Sequence, residues 1–200
     1  MHPIERLRYV ARAGSAPDRV LVAESVPAIT AFAHDSGALL VALRQLIGRQ
    51  PESPGLLVLA ARVLAGMDLI AEAWSLVDSM EADPTIGIAD AMPMVSEGGP
   101  EIIESIASGP GEVLCAHGTR EWIRQARSDS NGVVVVTELA TRLPRLLWRG
   151  HLDRRGFDPE TPGLELLSLD VFDEIVGPEG RQACAAWSPD CPDVAEIASF

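Results

Sequence analysis

Apolar positions follow two rhythms along this chain. Up to residue 82 they recur every three or four residues, the spacing that gathers side chains on one face of an α-helix. Ile4, Leu7, Val10 and Ala11 form a first such face, closed by Gly14-Ser15. Asp18 opens a second helix toward His34, which Pro27 should kink or break because proline lacks an N–H and crowds the preceding turn. Ser36 caps a third helix, in which Leu39, Leu40, Leu43, Leu46 and Ile47 share a face before Gly48. Pro51 to Pro54 reads as a loop. Leu56–Leu64 is helical again, ended by Gly66, and Asp68 opens Leu69–Met80, which Asp83-Pro84 stops.

Beyond residue 84 short apolar runs alternate with helical stretches. The pattern predicts strands at Ala91–Val95, Glu112–Ala116 and Gly132–Val136, and over Leu164–Leu169 and Val171–Val176 either one more strand or two separated by a turn. Between them it predicts helices over Glu101–Ala107, Thr119–Arg127 and Leu139–Trp148, the last in spite of Pro144. The tail from Arg181 reads as irregular, with room for a short strand around Cys184–Trp187. The expected class is α/β: a helical N-terminal domain over 1–84, then a Rossmann-like, mostly parallel sheet with flanking helices over 85–200.

Composition narrows the chemistry. All 16 basic residues are arginine, so Schiff-base, pyridoxal-phosphate and Walker-type lysine chemistries are excluded. Against them stand 29 acids, a net charge of −13 that disfavours nucleic acid as a partner. The charge is uneven: −5 over residues 1–100, +1 over 101–155 and −9 over 156–200. Cys115, Cys184 and Cys191 have neither zinc spacing nor a disulfide framework, so no metal is expected and a reducing cytoplasm is the predicted compartment. No apolar run is long enough to span a bilayer, and no membrane association is expected.

Four patterns carry possible chemistry. Ser96-Glu97-Gly98-Gly99 lies between an expected strand and helix, where exposed N–H groups suit a phosphate; an ordinary strand-to-helix turn has the same residues. His117-Gly118-Thr119-Arg120 follows the Glu112–Ala116 strand, with an acid–base group and an anion-binding turn, or simply a capped helix. Arg142, Arg145, Arg149, Arg154 and Arg155 surround Trp148, a pattern for phosphate and for stacking on a base or sugar; the competing reading pairs them with the acidic residues after Phe157. Asp173 and Glu174, beside Asp170 near a strand end, are placed for proton transfer.

The order of these segments resembles the superfamily of the translation initiation factor 2B regulatory subunits, which includes methylthioribose-phosphate and ribose-bisphosphate isomerases. The similarity rests on Val95-Ser96-Glu97-Gly98-Gly99, Val136-Thr137-Glu138 and Asp173-Glu174-Ile175-Val176-Gly177-Pro178-Glu179-Gly180. Arg12-Ala13-Gly14-Ser15-Ala16, His34-Asp35-Ser36-Gly37-Ala38-Leu39 and Ala60-Ala61-Arg62-Val63-Leu64 look most like actinobacterial members. The resemblance implies a homodimer and a pocket for a sugar or nucleotide phosphate. It assigns phosphate contacts to Ser96, Glu97, Gly98 and Gly99, and the family's acid to Asp173 or Glu174. The phosphate-binding set expected for this chain adds His117, Gly118, Thr119, Arg120 and Arg149.

This sequence departs from that superfamily in three places. The phosphate loop holds no cysteine, where the isomerases place their catalytic one, the lysine before the last sheet strand is missing, and the region after Gly180 is too short for the usual last strands and helix. These departures fit a shortened, divergent member, a degenerate isomerase that binds a phosphorylated metabolite without turnover and needs no cofactor. The alternative from another class is a non-catalytic helical protein–protein interaction module, because Pro54 to Pro84 has the length of one tetratricopeptide-like helix pair.

Overall fold

The computed structural model describes residues 3–10, 12, 16–86, 88, 100–129, 131–159 and 163–198. Five helices fill the first part: α1 (Pro3–Val10), α2 (Asp18–Ile29), α3 (Ser36–Arg49), α4 (Pro54–Ala65) and α5 (Leu69–Glu81). Their caps follow short polar side chains. Asp35, not Ser36, caps α3 by accepting from the Ala38 N–H at 2.9 Å. Ser53 caps α4, and Asp68 caps α5 through the Ile70 and Ala71 N–H groups. Pro27 does not break α2. It sits in the last turn, and the chain tightens directly afterwards into a 3-10 turn at Thr30–Phe32. Asp18 does not cap α2 but reaches across to accept the Gly55 N–H of α4 at 2.6 Å. Apart from Arg62, α4 is apolar all round, and it is buried from Pro54 to Ala61, as a central helix must be.

The second part holds two sheets. In the first, β1 (Glu101–Glu104), β4 (Val133–Val136) and β6 (Glu174–Gly177) run parallel in the order β1-β4-β6, and β7 (Gly180–Gln182) folds back antiparallel on β6. The second is antiparallel: β2 (Ala107–Gly109), β3 (Glu112–Ala116) and β5 (Leu164–Ser168). Helices α6 (Thr119–Ser128), α7 (Arg145–Arg154) and the short α8 (Ala195–Ala198) complete the chain. The class is α/β, with a helical N-terminal region and a mostly parallel sheet flanked by helices.

Beyond residue 84 three further sequence expectations are corrected. Glu101–Ala107 is not a helix: Glu101–Glu104 pairs with β4 over four residues, where Ile102 and Ile103 fit a pleated surface. The helix expected from Leu139 starts only at Arg145, because Ala140 takes a left-handed φ of 66° and Pro144 occupies the cap position. Cys184–Ala186 is a 3-10 turn, and the strand lies earlier at Gly180–Gln182. The strand expected at Ala91–Val95 lies outside the described residues.

Two apolar cores follow from the pleat. Leu114 of β3 points into the core that holds α2 to α5, α7 and Ile197, while its neighbours Val113 and Cys115 join Ile123 of α6 and Val133 and Val135 of β4. The larger core therefore runs without interruption from the N-terminal helices to α7 and α8.

Candidate functional site

In a parallel sheet ligands collect at the carboxyl ends of the strands. Here that edge carries Ser105 after β1, Thr137 and Glu138 after β4, and Gly177 to Glu179 after β6, linked by Ser105 N–H to Val136 C=O and Thr137 N–H to Val176 C=O. The Ser105 and Thr137 hydroxyls are buried and have no hydrogen-bond partner among the described residues. An unpartnered buried hydroxyl costs roughly 1–3 kcal/mol, so two on adjacent strand ends stand out. A Cβ on Gly177 would lie 3.6 Å from the Thr137 Oγ1 and 3.3 Å from an Arg142 nitrogen, so the backbone there is tightly enclosed.

The charges at this edge are mostly negative. Burial, with Glu104 and Asp83 nearby, pushes the Glu138 carboxyl above its ordinary value. Arg142 is almost wholly buried and already satisfied: its Nε donates to Asp190 Oδ1 at 2.8 Å and its two Nη atoms grip Glu179 at 3.0 and 2.8 Å. Its charge is thus taken up by two carboxylates.

The residues singled out from sequence occupy several places. Asp173 and Glu174 sit at the opposite, amino end of the parallel strands. Asp173 accepts the Val133 N–H at 2.7 Å and pairs with Arg127 at 2.9 Å; the Val133 bond, then Arg127, holds its carboxyl below the ordinary range. Glu174 pairs with Arg181 across the β6–β7 hairpin.

At the start of α6, Gly118 has a left-handed φ of 89° and the Thr119 hydroxyl donates to the Ala116 carbonyl at 2.7 Å. The exposed N–H groups of Gly118 and Arg120 are occupied from within the chain, donating to the two oxygens of Glu165 at 3.0 and 2.7 Å. His117 Nδ1 lies 3.6 Å from the same carboxylate. Burial alone would raise Glu165, but those bonds and the nearby cations hold it below its ordinary value. A carboxylate of the protein therefore fills the position an external anion would take.

Arg149 is exposed on α7, beside Arg145. Trp148 is only 3% exposed, packs on Gly109 and donates its indole N–H to Glu112 at 3.0 Å. It is therefore unavailable for stacking on a base or sugar. Ser96, Glu97, Gly98 and Gly99 lie outside the described residues. Burial pushes the Cys115 and Cys191 thiols up to about 12, far from nucleophilic. No cluster of three or more metal-ligating side chains occurs among the described residues, and no described helix is long and apolar enough to cross a membrane.

Sequence reasoning quoted Thr137 and Glu138 only as part of a motif and passed over Ser105. Their signal is position: each directly follows a run that ends a strand, and the helical pattern of Glu101–Ala107 hides it for Ser105.

No family model and no curated protein matches the sequence. The fold does have counterparts. The chain superimposes on eIF2B beta from Chaetomium thermophilum with a TM-score of 0.61 at 11% identity, over 92% of this chain and 88% of that one. It also superimposes on a chain of the tetrameric eIF2B-beta2-delta2 complex from C. thermophilum with a TM-score of 0.56 at 12% identity, covering 92% and 91%. The fold of this chain is therefore eIF2B-like.

Proposed function

We propose that this chain binds a small phosphorylated metabolite, a sugar or nucleotide phosphate, at the carboxyl edge of its parallel sheet, without isomerase turnover. The observation that carries the reading is the pair of buried, unpartnered hydroxyls, Ser105 and Thr137, on adjacent strand ends. Ligand hydroxyls would satisfy them, and the acidic surroundings favour a polyol there over the phosphate itself. The resemblance assigns the phosphate itself to Ser96–Gly99. Any proton transfer falls to Glu138, whose carboxyl is raised, since Asp173 and Glu174 are held in ion pairs.

The same proposal includes a cytoplasmic homodimer and a division into a helical domain, 1–84, and an α/β domain, 85–200. The tetrameric complex among the structural counterparts supports self-association as a property of this fold. The helical interaction module is the less favoured reading, because Ala107 and Leu114 of the antiparallel sheet share one core with the helices.

Thermal melts with a panel of sugar phosphates, nucleotides and their unphosphorylated parents test this reading. One phosphorylated class should raise the Tm of the wild type, and Thr137→Val should weaken that effect at least tenfold in ligand concentration. No stabilisation at about 10 mM of any compound, roughly a hundredfold above common metabolite affinities, would sink it.

A further inference from the structure

Of the five arginines around Trp148, three are consumed by the fold. Arg142 holds Glu179 and Asp190; Arg154 donates to the Ile197 and Ala198 carbonyls; Arg155 donates to the Glu52 carbonyl at 2.9 Å. Arg145 and Arg149 are different. Both are exposed, and neither has a hydrogen-bond or ion-pair partner among the described residues.

This bareness is unexpected on two counts. The chain carries 29 acids against 16 arginines, so carboxylates to pair with are plentiful. In addition, the two arginines stand four residues apart on one helix face, an arrangement that repels itself by a few tenths of a kcal/mol. Two carboxylates beside this helix have other work: Asp193 accepts the Leu146 and Leu147 N–H groups at the start of α7, and Glu112 accepts the Trp148 indole N–H. Asp153, one turn beyond Arg149 on α7, makes no ion pair with it.

The pair also faces a concavity. Arg145, Arg149, Trp148 and Glu112, with Pro110 and Leu152, line a groove of about 320 Å³ between α7 and the β2–β3 turn. That volume suits a small metabolite. Two guanidinium forks match a dianion, Pro110 and Leu152 offer an apolar wall, and the carboxylate of Glu112 is an acceptor for a ligand hydroxyl. We infer that this groove is an anion-binding site for a small hydroxylated phosphate monoester, held by Arg145 and Arg149. It is separate from the sheet edge, and it stands whether or not that edge binds a metabolite.

The test uses the full chain and ribose 5-phosphate, with ribose and inorganic phosphate as the other arms. Isothermal titration should show saturable binding of ribose 5-phosphate that is at least tenfold tighter than that of ribose. Arg145→Ala/Arg149→Ala should weaken it at least tenfold, and Arg149→Lys less, because a lysine keeps the charge while losing the bidentate fork. Arg124→Ala, an exposed arginine on α6 that does not line the groove, should leave it unchanged. The Trp148 indole N–H resonance, assigned with Trp148→Phe, should shift on addition of the sugar phosphate to the wild type, a readout that needs no altered arginine. Binding of inorganic phosphate with equal affinity would reduce the site to simple anion capture and overturn the hydroxylated-ester assignment. Absence of binding, an unchanged Trp148 resonance, or binding that survives loss of the arginine pair would overturn the site itself.

Discussion

His151 is fully buried on α7, its two ring nitrogens have no hydrogen-bond partner, and its ring stacks near Trp148 at 6.3 Å. Burial first, then the Arg155 and Arg154 charges, pushes its pKa down to about 3 from 6.5. Between those values the unfolded chain takes up a proton that the folded chain refuses. Stability is therefore complete above pH 6.5 and declines as the pH falls toward 3, by about 5 kcal/mol. His151→Leu removes both the unpartnered nitrogens and the titration. It should raise stability at pH 7 by about 1–2 kcal/mol. In urea unfolding its pH profile should be flatter than that of the wild type from pH 7 to pH 4. Equal slopes would show that His151 is protonated in the folded chain.

Among the elements, α6 shows how the sequence and the fold divide the information. The turn His117-Gly118-Thr119 and the helix after it are legible, because Gly118 supplies the left-handed residue and Thr119 the local hydroxyl bond. What occupies the helix start is not legible, because Glu165 arrives from β5, 45 residues beyond Arg120. The same holds for Asp173. Its position next to a strand is readable, but which end of the sheet it lies on depends on the parallel pairing of β4 and β6. Charge alone cannot reveal that. Glu165→Gln tests the helix-start role. The folded carboxyl is held below its ordinary 4.5, so its contribution is present above pH 4.5 and is lost as the pH falls through the folded value. The variant should lose about 1 kcal/mol at pH 7, the usual scale for a carboxylate at a helix N-terminus, and nearly nothing at pH 3. A constant difference at both pH values in urea unfolding would assign the loss to packing instead.

At the scale of the whole molecule the C-terminal tail closes the fold, although its sequence suggests an irregular appendage. Arginines from three helices hold its main chain: Arg44 of α3 donates to the Glu196 carbonyl at 2.9 and 2.7 Å, Arg62 of α4 to the Asp190 carbonyl at 3.1 and 2.9 Å, and Arg154 of α7 to those of Ile197 and Ala198. These acceptors are backbone carbonyls, which every residue type presents, so no side-chain pattern could announce them. Between the clasps Ile197 is fully buried in the core shared by α4, β3 and α7. A packed element that joins both parts of the chain should make unfolding a single event. Ile197→Ala should cost about 2–4 kcal/mol, the range for truncating a buried isoleucine. The loss should appear equally in hydrogen exchange of the slowest amides of α4 and of β3, since both report the same global opening. If α4 kept its protection while β3 lost it, the helical region would hold its own stability, and the tail would be a clamp on the sheets alone.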